Sequence, residues 1–279
     1  MINKALMNVI LKDTRAFYDR EIKDVELVNQ GYYGLIFLVS FDDAFSCVAK
    51  VYKGFGHAKN EYEHLGLLLG KGLFHSPKPY YLSLKEKNDY KDILYMEYIH
   101  EAKPVELAVL EQCNKDEMAK RIVDNIFCYQ QNFKVEQGNW GCVYNDFVYD
   151  LYNRLLLRDD NELKEVANKY LAFTKESVFN TNEVLLHGDY NTLNLLVDKN
   201  GELHMIDPLG FTYGDKFIDI AQLLKKTCLE DSIIKILKKK DILDDKGLTL
   251  VAIYQFWDEI YHYLRTNRID SELIKRIKF

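Results

Sequence analysis

A chain of 279 residues, 48% hydrophobic and 29% charged, is an ordinary globular composition that buries about three quarters of its unfolded surface. Its net charge of −6 argues against a nucleic-acid partner, which needs surplus Lys and Arg to neutralise phosphates. Five scattered cysteines without a C-x-x-C pair suggest neither a zinc site nor a disulfide framework, and no apolar run approaches the ~20 residues that span a bilayer.

The first hundred residues carry short β-rich runs at Val25 to Val28, Leu35 to Phe41, Cys47 to Tyr52, Pro79 to Leu84 and Ile93 to Tyr98. No long apolar core precedes Asp13 and Arg15, so the start does not read as a secretory signal. With reduced cysteines, a cytoplasmic protein without a membrane partner is expected. Between the third and fourth strands, Tyr62, Leu65 and Leu69 recur at helical spacing within His57 to Leu69. After Glu101 the pattern turns helical, over Asp116 to Phe133, Phe147 to Ala172, Asp215 to Cys228 and Leu248 to Arg265. Lys238-Lys239-Lys240, the conspicuous basic run, fits a helix C-terminus. A connection near Tyr98 to Lys103 would join a nucleotide-binding lobe, residues 1–99, to a catalytic and substrate-binding lobe, residues 100–279. The fold class is α+β, with a β-rich first lobe and a helical second lobe built around a hairpin.

That hairpin pairs Leu195 to Val197 with Leu203 to Ile206 across Asp198-Lys199-Asn200-Gly201. The later ligands of a calcium loop are missing, so Asp198 to Gly201 is a turn. Asn194 and Asp207 lie at its two ends, and a hairpin returns its ends to each other. An amide oxygen and a carboxylate then meet at one pole, hard donors suited to Mg²⁺. Asp189 lies beside them, placed to orient a hydroxyl and take its proton, a contribution of ~10²–10⁴ in rate.

His187-Gly188-Asp189-Tyr190-Asn191-Thr192-Leu193-Asn194 followed by Ile206-Asp207 resembles the H-G-D-x-x-x-x-N … I-D signature of the aminoglycoside phosphotransferase and choline kinase family. Gly214 to Ala221 is similar to that family's next segment. The resemblance implies a two-lobed, protein-kinase-like fold with ATP and Mg²⁺ as cofactors. It makes Asp189 the catalytic base, Asn194 and Asp207 the metal ligands, and Asp219 a brace for the loop. His187 would organise the same loop.

Other residues take expected places by the same resemblance. Lys50 ends a strand where the nucleotide-contacting lysine belongs, with Glu61 as its partner and Glu63 as the alternative. Gly31 and Gly34, in Gln30-Gly31-Tyr32-Tyr33-Gly34, stand where a phosphate-covering turn lies. Leu94 to Ile99 resembles the inter-lobe connector, whose Glu97 carbonyl and Ile99 amide would bond adenine. Pro208-Leu209-Gly210 after the metal-binding Asp departs from the commoner pattern and blurs the subfamily.

The expected activity is transfer of the γ-phosphate of ATP to a hydroxyl of a small molecule. Gly188 replaces the Arg that usually precedes the catalytic Asp of a protein kinase. Asp219 stands only twelve positions after Asp207, too close for a long activation segment. A non-catalytic relative usually lacks one of the Lys or Mg²⁺ positions, and none is lost here. Tyr144, Asp146, Trp257, Asp258, Glu259 and Tyr261 combine carboxylates with aromatic faces and suit a cationic acceptor. Such residues more often make a helix with a buried aromatic stripe and solvated acids. An aminoglycoside is the first expectation, with a sugar, choline-like alcohol or other metabolite left open. Neither oligomeric state nor a preference for ATP over GTP is legible.

Overall fold

The computed structural model describes residues 4–31, 34–54, 56–71, 75–84, 92–111, 114–133, 138–178, 183–208, 212–225 and 227–276. The chain opens with α1 (Lys4–Phe17), β1 (Ile22–Gln30), β2 (Gly34–Phe41), β3 (Ser46–Tyr52) and α2 (His57–Lys71). Then follow β4 (Pro79–Ser83), β5 (Ile93–Glu97), β6 (Lys103–Pro104), α3 (Val105–Glu111), α4 (Lys115–Asn132), α5 (Trp140–Leu156) and α6 (Asn161–Ser177). The signature region comprises β7 (Glu183–Leu186), β8 (Leu195–Val197), β9 (Leu203–Met205), β10 (Thr212–Asp215) and α7 (Phe217–Lys225). The chain closes through α8 (Glu230–Lys239), α9 (Asp245–Thr266) and α10 (Ser271–Arg276). Two compact units result: Met1–Pro104 with Leu195–Phe211, and Val105–Asn194 with Thr212–Phe279.

The first unit is built on an antiparallel sheet in the order β1-β2-β3-β5-β4. Strand alternation divides its residues between two faces. Cys47, Ala49 and Val51 join Phe37, Val39, Ile93 and Tyr95 on one face, against Leu6 and Ile10 of α1. Tyr52, Leu94 and Met96 take the other, against Ala58 and Leu65 of α2. Burial of each such aliphatic side chain contributes roughly 1.5–3 kcal/mol. The alternation also puts Lys50 on the α2 face. Helix α1 lies outside the elements expected from the sequence, because its apolar stripe is short and polar residues interrupt it.

The β8–β9 hairpin groups with this first unit rather than sitting at the heart of the second. Lys103 pairs with Val197 through β6, and Leu195 stands opposite Met205. The turn is held by Asp198, whose Oδ1 accepts from the amides of Asn200 and Glu202, both at 2.9 Å. Gly201 takes φ 81°, the conformation glycine adopts without steric cost.

The second unit is helical, with a two-stranded β7–β10 ribbon. Helix α9 is its axis, burying Leu250, Ile253, Phe256, Trp257 and Ile260. The single helix expected over Phe147 to Ala172 is two. Helix α5 ends at Leu156, and Asp160 caps α6 by accepting from the Leu163 amide at 3.0 Å. The capping aspartate carries the start signal, but apolar residues on both sides keep one helical period and mask the break. The helix expected from Asp215 to Cys228 is shorter, because Asp215 still pairs with Glu183 in the ribbon and α7 begins at Phe217. Lys238 and Lys239 do occupy the last turn of α8. Among the described residues, no helix is long and apolar enough to cross a membrane.

Candidate functional site

Strand β7 ends at Leu186 and delivers the loop that carries Asp189. Gly188 turns it at φ 82°, a left-handed conformation that glycine enters freely. Asp219, in the first turn of α7, accepts from the amides of His187 and Gly188 through its two oxygens, each at 3.0 Å. Buried completely, Asp219 is pushed up to about 7 by desolvation, against the opposing pull of those amides. Gln222, one helical turn on, accepts from the Tyr190 amide at 2.9 Å and donates to the Gly188 carbonyl at 2.8 Å. Tyr190 is buried and bonds Asn125 at 2.9 Å. The loop is thus fixed from both sides of its backbone.

Asp189 itself is held by amides. Asn191 Nδ2 donates to its Oδ1 at 2.7 Å, and Asn194 Nδ2 to its Oδ2 at 2.8 Å. With its Nδ2 so engaged, Asn194 has Oδ1 as its remaining acceptor, the atom a cation would use. Thr192 Oγ1 bonds Glu106 at 2.9 Å and ties the loop to α3. A carboxylate held in this way can orient a hydroxyl and accept its proton.

In the first unit, Lys50 bonds Glu61 Oε2 at 2.7 Å and also contacts Asp207. Glu63 is exposed and pairs with Lys59 instead at 3.7 Å. Burial raises the Glu61 carboxyl, and the Lys50 ammonium counteracts that rise. Asp207 follows β9, which Met205 ties to the His75 carbonyl at 2.9 Å. Its φ of 61° is uncommon for a non-glycine residue and costs on the order of 1–3 kcal/mol. The chain holds Asp207 there despite the strain, with about a third of its side chain exposed.

Gly34 lies opposite Tyr52, and a Cβ on it would collide with the Val51 carbonyl. Gly31 donates to the Gly34 carbonyl at 3.0 Å and accepts from Lys53 Nζ at 3.0 Å. Tyr32 and Tyr33 of this turn lie outside the described residues, as do Leu209 and Gly210 after Pro208. At the end of β5, the Glu97 amide donates to the Lys78 carbonyl at 2.9 Å, and the Lys78 amide returns to the Glu97 carboxylate at 3.1 Å. Ile99 accepts from the Ala102 amide at 3.4 Å.

Asp189 opens onto a cavity of about 620 Å³ within the second unit, lined also by Gln222, Lys225, Asp258, Glu259 and Asp270. Lys225 bridges Asp258 at 2.7 Å and Glu259 at 2.8 Å. Burial alone would lower the Lys225 ammonium, but the two carboxylates outweigh it and raise it. A second cavity of about 160 Å³ shares Gln222, Lys225 and Asp258 and is walled by Tyr144, Phe147, Tyr254 and Tyr261.

Residues 24–238 match the model of the phosphotransferase enzyme family (APH), most of the chain and the whole span from Lys50 to Asp219. The chain belongs to that family. It is a small-molecule kinase, with the kinase-like fold of its structural neighbours. The phosphotransferase is 17% identical to APH(2")-IIia in its complex with GDP and kanamycin, with a TM-score of 0.73 over 97% of this chain and 96% of that one. It is 16% identical to choline kinase LicA from Streptococcus pneumoniae, with a TM-score of 0.67 over 98% and 96%. LicA in complex with AMP aligns with a TM-score of 0.64 at 16% identity, over 97% and 96%. At these identities the likeness establishes the fold. No curated protein sequence is significantly similar to the phosphotransferase.

Within each unit the structure brings expected residues of this phosphotransferase together: Asp189 with Asn194, and Lys50 with Glu61 and Asp207. Others fall elsewhere. Trp257 is fully buried and donates to Thr174 at 2.8 Å, so it belongs to the aromatic stripe of α9 and not to a cavity wall. Asp146 is exposed and lines neither cavity described above. Gln222, Lys225 and Asn191 escaped sequence reasoning. Gln222 falls one turn after Asp219, a spacing that could have flagged a shared face; Lys225 carries no comparable signal.

Proposed function

We propose that this phosphotransferase moves the γ-phosphate of ATP to a hydroxyl of a small molecule, with an aminoglycoside as the first acceptor to test. The observation that carries the reading is Asp189, a carboxylate held by two amides on a braced loop and open to a cavity of about 620 Å³. In this reading Asp189 aligns the acceptor hydroxyl and receives its proton. Lys50, held by Glu61, contacts the phosphates. Gly31 and Gly34 allow the turn above them to approach closely, while the Glu97 carbonyl and Ile99 amide bond the base.

In this reading Asp207, a partly exposed carboxylate, and Asn194, an amide oxygen, are the residues that would hold Mg²⁺, both being hard donors. Bound there, it would neutralise charge on the transferring phosphoryl group. Among the described residues, no cluster of three or more His, Cys, Asp or Glu could hold a metal. A carboxylate, an amide and the substrate's own phosphates need no such cluster.

The cavity beside Asp189 has more acids than bases. Asp189, Asp258, Glu259 and Asp270 face Lys225 and Arg268, which favours a cationic acceptor. A choline-like alcohol is the second reading, supported by the aromatic side cavity. There Tyr144 and Tyr254 stand 5.2 Å apart at 82°, and such walls suit a compact ammonium head. Unlinked Cys47, Cys128, Cys142 and Cys228 fit a cytoplasmic enzyme.

ADP release, measured with kanamycin, choline, fructose and a mixed-protein substrate, tests the proposal. Turnover on one of the small molecules is expected, and the cationic ones should lead. Transfer only to protein would overturn it.

A further inference from the structure

Tyr52 touches both members of the Lys50–Glu61 pair, and neither the family pattern nor the sequence motifs assign it a role. It lies two residues after Lys50 on β3, so strand alternation points both side chains toward α2. Its hydroxyl donates to Glu61 Oε2, the same oxygen that accepts from Lys50. Its ring lies beneath the ammonium, 5.0 Å from Nζ to the ring centre, within cation–π range. Glu61 Oε1 has no hydrogen-bond partner among the described residues. Among the described residues, the hydrogen bonds to this carboxylate therefore run through one oxygen, and Tyr52 supplies one of the two.

We propose that Tyr52 is a positioning residue for the phosphate-binding lysine. This rests on the reading of Lys50 and Glu61 given above. Lys50 has two carboxylate contacts, Glu61 and Asp207. If Asp207 is drawn to the metal and the ammonium to the phosphates, Glu61 alone restrains the lysine. A carboxylate tethered only by the lysine it positions would move with it. The Tyr52 hydroxyl gives Glu61 a tether that does not depend on Lys50, and the ring limits the path of the ammonium. Gly34 stands opposite Tyr52 in the ladder.

The measurement is calorimetric titration of the full-length protein with Mg-ATP and, separately, with adenosine. Adenosine presents the base and ribose but no phosphate for Lys50. Tyr52→Phe removes the hydroxyl and keeps the ring; Tyr52→Leu removes both. Loss of a hydrogen bond to a charged group should weaken Mg-ATP about tenfold in the Phe variant, and more in the Leu variant. Adenosine affinity should stay within about twofold in both. In a Glu61→Gln background, Tyr52→Phe should add less than about threefold, since coupled residues are not additive.

Equal weakening of Mg-ATP and adenosine would make Tyr52 a packing residue and overturn the proposal. So would a full tenfold loss in the Glu61→Gln background. Lys50→Ala is the separate control. If it leaves Mg-ATP affinity intact, the reading of Lys50 fails, whatever Tyr52 does.

Discussion

Two buried charges, one in each unit, are held in opposite ways. In the first, Lys50 faces Glu61 and Asp207, so charge answers charge. In the second, Asp219 is answered by dipoles, the amides of His187 and Gly188 with help from Gln130. An ion-pair cluster can exchange partners when a new charge arrives, because the interaction is long-ranged and weakly directional. Amide donors are directional and belong to the loop backbone they position. The difference suits the work each region would do. In the proposed reading the first would release a carboxylate and an ammonium to metal and phosphates, and the second would keep Asp189 still.

The comparison can be broken at its extremes. Asp207→Ala should remove the first unit's exchangeable carboxylate, lowering turnover about 10³-fold and weakening Mg-dependent nucleotide binding. Steady-state rates across a Mg²⁺ titration check this, and unchanged magnesium dependence would end the metal assignment. Asp219→Ala should leave two loop amides unsatisfied. A loss of about 2–3 kcal/mol is expected in urea unfolding, with a fall in kcat as the loop relaxes.

A pH experiment sharpens the same contrast. Asp219 in the folded protein titrates at about 7 rather than 3.8, so the folded state keeps a proton that the unfolded chain has released. Stability from this group is therefore greatest at low pH, falls as pH rises between those values, and levels above about 7. Glu61, also raised by burial, acts in the same direction. Melting temperatures at fixed ionic strength from pH 5 to 8 should fall, and Asp219→Asn should flatten the slope. The smallest effect is expected away from both charge sites. Asp160→Ala removes the α6 cap and should cost about 1 kcal/mol in thermal unfolding without changing kcat.

Much of the proposed site was legible because its residues are local in sequence. His187 to Asp207 packs loop and hairpin into one stretch, and strand alternation around Lys50 is visible in Val48 to Tyr52. The five strands of the first sheet were readable for the same reason. What stayed hidden depends on partners far along the chain. Gln222 and Lys225 gain meaning only when α7 meets the loop and α9. Trp257 looks like a ligand-facing aromatic until its indole is seen bonded to Thr174. The break at 157–160 escaped because helical period continues across it, and α1 because its stripe is short.

Asp189→Ala tests the central claim most directly, through kcat and Mg-ATP affinity measured on the same preparation. The account predicts a fall in kcat of ~10²–10⁴ with nucleotide affinity within about twofold of the parent. Turnover at the parent rate would contradict it.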